Sequence, residues 1–175
     1  MRIDTEVQSR LVRFEGAVHS LMMRHSIGAL RVSMGLVFLG FGVLKLVPGL
    51  SPAQDLVEST LTIASFGLLP PTVGLVLTAL LECFIGLTLI VGRGVRITLY
   101  LLSLELVGIL SPLVLLPGRM FSGPHHAPSL EGQYVLKDVV LVAAAMVIAT
   151  QFRGASITAP DNWDLDLHRL DEAKD

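Results

Sequence analysis

The chain has 175 residues and a formal net charge of -2, with 52% hydrophobic and only 16% charged residues. A soluble domain carries roughly 25% charged residues, so this composition lacks the ionic surface that water requires. It excludes an ordinary soluble fold, and the arginines are not interleaved with aromatic residues as on a nucleic-acid surface.

The apolar residues stand in long blocks, and several blocks reach the ~20 residues that a helix needs to cross ~30 Å of hydrocarbon. The expected fold is all-α and membrane-embedded. It comprises an amphipathic cytoplasmic segment (1–26), a bundle of four transmembrane helices (27–153) and an acidic cytoplasmic tail (154–175). The start, Met1 to His25, is too polar for a signal peptide. Within it Val7, Leu11, Phe14, Val18 and Leu21 form one stripe, with Arg10, Arg13 and Glu15 off it. Such a segment suits either an interfacial helix or a cytoplasmic helix packed on a partner.

The first span is expected over 27–47, ended by Pro48 and Gly49. A short outer amphipathic helix should follow, with Ser51 as its cap, Pro52 at the first helical position and Gln54 completing a capping box. Its apolar face would carry Ala53, Leu56, Val57, Thr60, Leu61 and Ala64. Pro70-Pro71 opens the second span, 71–91, and the turn Gly92-Arg93-Gly94 leads into the third, 95–116. After a loop containing Gly123, Pro124 and Pro128, the fourth span covers 133–152 and has an unusually polar start at Lys137 and Asp138.

Basic residues set the orientation. With the amino terminus inside, Arg2, Arg10, Arg13, Arg24, Arg31, Arg93, Arg96, Arg153, Arg169 and Lys174 fall on the inner side. Only Lys45, Arg119 and Lys137 fall on the outer half. Both termini are therefore expected in the cytoplasm of a cell whose inner membrane holds the bundle.

An ionisable side chain at membrane depth costs at least ~2.5–3.5 kcal/mol on insertion scales and marks a candidate site. Glu82 lies ten residues before Gly92 and Glu105 eleven after Gly94, so the hairpin should return them to nearly one depth. Gly74, Thr78, Glu82 and Gly86 repeat every four residues along the second span, and Glu105, Gly108 and Pro112 share a face of the third. The two carboxyls could then meet inside the bundle and share a proton, or serve as neutral acids bonded to neighbouring backbone. Lys45 and Lys137 should stand roughly 12 Å higher by helical rise. They are expected to face an outer vestibule with Asp55, Glu58, Glu131 or Asp138 as counter-ions, unless Lys45 snorkels or a kink at Pro112 brings it closer. The adjacent His125 and His126 suit a solvated loop better than a metal site, and no metal is expected. The single cysteine, Cys83, suits a small apolar filler.

The stretch ALRVSMGLVFLGFGVLKLVPG resembles the opening of DoxX/DoxD-like membrane proteins, through Arg31, Gly42 and Lys45. LLECFIGLTLIVGRGVR resembles the family's second span at Glu82, Gly86 and Gly92, and GQYVLKDVVLVAAAMVI its last helix at Lys137 and Asp138. The K-D element and the long outer segment are most similar to the YkgB-like branch, linked to reactive-chlorine resistance. The resemblance implies a four-helix membrane fold and a redox or stress-related role. DoxD relatives resemble a subunit of thiosulfate:quinone oxidoreductase, and some DoxX members are thought to assemble with soluble redox enzymes. The chain has no cofactor motif of its own, so electron chemistry would need a bound quinone or a partner subunit, and a stand-alone enzyme is not expected. The first expectation is a cavity for a quinone-like or other small hydrophobic ligand, formed by Glu82, Glu105, Lys45, Lys137, Asp138 and Arg31. The rivals are a non-catalytic anchoring subunit and a small proton-coupled transporter, the latter requiring a homo-oligomer.

Overall fold

Helices account for most of the described backbone because the apolar blocks must satisfy their own peptide groups in lipid. A computed structural model describes the backbone of residues 2–151 and the side chains of residues 14–150. Four stretches are long and apolar enough to cross a membrane: Phe14–Leu46, Pro71–Val91, Val95–Leu115 and Pro124–Thr150. The chain is a multi-pass α-helical membrane protein, with no strand among the described residues. The acidic tail and the side chains of Val7 and Leu11 lie outside the described residues.

The first helix, α1 (Arg2–Leu46), is 45 residues long. The amphipathic segment expected as a separate unit is thus continuous with the first span, because neither glycine nor proline interrupts the pattern strongly enough to end the helix between them. At 1.5 Å per residue α1 is roughly 66 Å long, about twice the hydrocarbon thickness. Helix α2 (Gln54–Ala64) follows a turn, and α3 (Pro71–Val91) is the second span. Gly92 and Gly94 both adopt left-handed backbone, φ 76° and 70°, and fold α4 (Val95–Leu110) back along α3. The Thr98 hydroxyl ties this hairpin by donating to the Thr88 hydroxyl at 2.9 Å.

The later spans are broken. The third kinks after Ser111, where Pro112 starts the four-residue α5 (Pro112–Leu115), as the missing proline donor predicts. A second four-residue helix, α6 (Pro117–Met120), turns the chain across the outer end. The fourth span is two helices, α7 (Leu130–Lys137) and α8 (Val139–Gln151), instead of the single helix expected over 133–152. Ser129 caps α7 by accepting from the Gly132 N–H at 3.0 Å.

Backbone contact between α1 and α3 sets the register of the bundle. A Cβ built on Gly86 would lie 2.5 Å from the Leu39 nitrogen, one on Gly35 2.8 Å from the Gly86 oxygen, and one on Gly42 2.8 Å from the Cys83 sulfur. No side chain larger than hydrogen fits at these positions, and Cys83 fills the space opposite Gly42. Residue 39 therefore faces 86, and 42 faces 83. Continued, this register puts the end of α1 level with residue 79. The eight residues of α3 above that level are covered by α2, with Leu61 and Leu69 against Gly74.

Two apolar clusters result. The inner one joins Met34 and Phe38, Ile85 and Leu89, Leu102 and Leu106, and Ala145 and Ile148 from all four spans. The outer one joins Leu56, Met120 and Val135 from the short elements.

The glycine contacts make a direct expectation. Gly86→Ala should destabilise the bundle by about 1–3 kcal/mol through overpacking. Gly40→Ala, where a Cβ meets nothing within 4 Å, should be neutral or slightly stabilising because alanine favours helix. Unfolding in mild micelles with increasing denaturing detergent measures both; equal behaviour would show that the contact is not close.

Candidate functional site

Lys45 and Glu82 form a buried ion pair. The ammonium nitrogen lies 2.5 Å and 2.6 Å from the two carboxylate oxygens, and the side chains are only 6% and 4% exposed. This corrects the expectation that Lys45 faces an outer vestibule about 12 Å above the glutamates. That estimate aligned the outer ends of the two helices. The glycine register instead places Lys45 level with residue 80, roughly 3 Å from the level of Glu82. Side chains lean towards a helix's amino terminus, and on α1 that direction leads to Glu82.

Glu105 is 8% exposed, and among the described residues no hydrogen bond reaches its carboxyl. It lies on the buried face of α4 with Thr98 and Leu102, inside the electrostatic reach of both Glu82 and Lys45. The hairpin thus brings both glutamates into the interior, within electrostatic reach of one another. Gly108, expected on the same face, is exposed and unopposed; the packed face of α4 runs through Thr98, Leu102, Glu105, Leu106 and Ile109 and leaves Gly108 at its edge.

Asp138 sits at the break between α7 and α8. Its N–H donates to the Val135 carbonyl at 3.2 Å, three residues back, and its carbonyl accepts from Leu141 at 2.9 Å. This tightened turn interrupts the fourth span at Asp138, between α7 and α8. Asp138 is half-buried and interacts electrostatically with Lys45 and Glu82. Lys137 next to it is exposed, its ammonium 5.1 Å from the Tyr134 ring centre, so it does not join the buried group. In chain order Lys45 and Glu82 lie just outward of the inner cluster's Phe38 and Ile85, Asp138 falls between Val135 of the outer cluster and Ala145 of the inner one, and Glu105 lies within the inner cluster between Leu102 and Leu106; together they make up a charged layer.

Arg31 is placed elsewhere. Its guanidinium donates to the Leu89 carbonyl at 2.6 Å and lies over Gly92, where a Cβ would collide with it. Arg31 therefore satisfies one of the orphan carbonyls at the end of α3, about a helical turn and a half or more inward of Glu82. Gly92 is required both for its left-handed backbone and for this close approach.

The outer layer is held by a residue that sequence reasoning counted only as a stray positive charge. Arg119 donates to both Glu131 oxygens, at 2.5 Å and 2.6 Å, and pairs with Asp55 at 2.7 Å. The hydrogen bonds that Arg119 donates to Glu131, and then to Asp55, push the guanidinium well above its ordinary range against a desolvation cost. Asp55 and Glu131, expected as lysine counter-ions, thus serve Arg119 and tie α2, α6 and α7 together. The signal was present: Arg119 is the sole outer basic residue outside the two lysines, and Asp55 and Ser59 share a face of α2. The expected capping box does not form. Gln54 accepts from the Gly49 N–H at 3.0 Å, and the Ser51 hydroxyl is buried without a hydrogen-bond partner. His125 and His126 are exposed, and the described residues contain no cluster of ligands suited to a metal.

These features define a class: a small multi-pass helical membrane protein with an ion pair and a further carboxyl held at membrane depth. The DoxX family model matches residues 26–115, just over half of the chain. The chain belongs to the DoxX family. The match contains Arg31, Lys45, Glu82 and Glu105 and ends before Asp138. No curated protein and no solved structure matches it.

Breaking one side of a buried pair leaves an uncompensated charge, whereas replacing both can be neutral. Lys45→Met or Glu82→Met alone should therefore destabilise the protein by about 3–5 kcal/mol, and the double variant should recover most of the loss. Detergent unfolding of the four proteins tests this, and purely additive losses would show that the two groups are not coupled.

Proposed function

We propose that this protein supports redox or oxidative-stress homeostasis in a bacterial inner membrane, with both termini cytoplasmic, by binding a small quinone-like ligand at its charged layer. The observation that carries the proposal is Glu105, a carboxyl nine-tenths buried with no hydrogen-bond partner among the described residues, within electrostatic reach of the Lys45 ammonium. Lysine has three N–H donors, and Glu82 engages Lys45 through two oxygens.

The donor set fits such a ligand. A quinone oxygen can accept from the remaining Lys45 N–H, and the hydroxyl of its reduced form can donate to Glu105. An apolar groove of about 290 Å³ between α4 and α8 is lined by Leu99, Leu106, Leu110, Val142 and Ala145. It suits a hydrocarbon tail, and Leu106 adjoins Glu105 in the chain. When bound, the quinone would supply the two-electron chemistry for which the chain has no motif. Lys45 and Glu105 would orient its oxygens, and the clusters on either side of the layer would exclude water. The similarity of the Lys137-Asp138 element to the YkgB-like branch favours protection against reactive chlorine as the physiological setting.

A second reading, as an anchoring subunit for a redox partner, is favoured by the length of α1. Its residues between 14 and 28 are largely exposed, including Phe14, Leu21 and Met22, and offer a continuous helical surface to a partner.

The ligand reading is tested with full-length protein in lipid nanodiscs and a short-chain ubiquinol analogue, the reduced form that carries the hydroxyls, as probe. Saturable binding is expected, and Glu105→Leu should weaken it at least about tenfold, the worth of one charge-assisted hydrogen bond. Equal affinity in the variant, or no saturable binding by the unmodified protein, would overturn the proposal. A partner captured through the exposed part of α1, without quinone binding, would favour the anchoring role.

A further inference from the structure

Helix α1 runs on past the bundle it belongs to. Arg31 marks the inner end of α3 through its bond to the Leu89 carbonyl, so the part of α1 before it extends beyond the packed spans. Residues 2–30 add roughly 43 Å of helix at 1.5 Å per residue, unbroken from the span itself. A helix without a break leaves the membrane along the direction in which it crossed, and lying flat in the interface would need a kink with an identifiable cause. From residue 14 to residue 26 every residue is exposed except Val18, which is half-buried. Phe14 is 67% exposed and Leu21 60%, and a Cβ on Gly16 or Gly28 would meet nothing within 4 Å. A row of large apolar side chains outside the hydrocarbon marks an interaction surface.

The spacing of the row says what covers it. Val7, Leu11, Phe14, Val18, Leu21 and His25 follow one another at alternating steps of four and three. That is the 3.5-residue repeat, which holds one narrow seam towards a second helix that supercoils with it. In heptad terms positions 11, 18 and 25 are a, and positions 7, 14 and 21 are d. Val18 at a with Leu21 at d suits two strands, and a single polar residue at a, here His25, fixes their alignment. The flanking positions complement a copy of themselves. Arg10 stands at g and Glu15 at the following e, the positions that oppose each other across a parallel pair. Copies of one membrane protein inserted with one orientation can present this helix only in parallel.

We propose that two copies of this chain pair through residues 7–28 of α1, forming a parallel two-stranded coiled coil beyond the inner end of the bundle. The contact is isologous: each copy gives the same stripe, and the Arg10 and Glu15 positions are opposed twice across the seam. Anchorage of both chains in one membrane raises the effective concentration at which the short seam forms. The pairing takes the surface that the anchoring reading offers to another protein, and it rests on neither the ligand nor the charged layer.

The test is disulfide cross-linking of the full-length protein in isolated membranes, with Cys83→Ala as background so that one cysteine can be placed at will. Leu21→Cys, on the seam, should form a covalent dimer at least about tenfold faster than Met23→Cys on the far side of the helix, because a disulfide needs Cβ atoms about 4 Å apart. Phe14→Lys with Leu21→Lys should weaken dimerisation in lipid nanodiscs at least about tenfold, the worth of two lost apolar anchors. Arg10→Glu should also weaken it, and adding Glu15→Arg should restore it, a rescue that a merely adhesive surface would not show. Unfolding of the bundle in detergent should not change, since all these positions lie before Arg31. Equal cross-linking at positions 21 and 23, a monomer at every lipid dilution, or no rescue by the charge exchange would overturn the pairing. Quenching of a probe at position 21 by brominated lipid would then assign the stripe to the bilayer surface. Its uncovering on removal of residues 154–175 would assign it to the chain's own tail.

Discussion

The close approach of α1 and α3 is the constraint on which the rest depends. Three glycines bring two backbones to a distance at which no methyl group could intervene, and in lipid such packing replaces the hydrophobic drive that associates helices in water. The contact fixes more than proximity. It sets the axial register, and the register decides that Lys45 meets Glu82 and not solvent. An ion pair at this depth would be weak evidence for stability by itself, since desolvation can exceed Coulombic gain. Its value lies in neutralising a lysine and a glutamate that the packing has already enclosed.

A consequence of the same register is that α1 stops well below the outer end of α3. The space above it is filled by α2, and α5, α6 and α7 complete an outer layer around Met120. Arg119 ties this layer together with a forked contact to Glu131 and a second to Asp55, the geometry for which a planar guanidinium is suited. The charged layer is consequently roofed by protein. Inner packing and outer packing are distinct; Lys45, Glu82 and Asp138 lie outward of the inner cluster, and Glu105 lies within it.

These groups account for the functional proposal. A neutralised pair supplies polarity without net charge, and Glu105 adds a carboxyl with unused hydrogen-bonding capacity. Asp138 adds a second carboxyl where the fourth span gives way. A ligand with carbonyl or hydroxyl oxygens would draw on the donor and acceptor geometry at Lys45 and Glu105.

Much was legible without tertiary structure. Apolar blocks bounded by Pro and Gly identify four spans because a bilayer demands about 20 apolar residues for each, and the spacing about Gly92 and Gly94 placed Glu82 and Glu105 at comparable depth. The continuity of α1 through residues 2–46 was not legible, since a polar helix and an apolar helix joined without a breaker read as two units. Nor was the role of Arg31, whose partner is a backbone carbonyl with no side-chain signature. The sequence by itself determined which residues enter the membrane, because that depends on composition along one segment at a time. Only the tertiary structure decided which charges face one another, because helix register is set by contact between segments, here by hydrogen atoms on Gly35, Gly42 and Gly86 where any other residue would hold the helices apart.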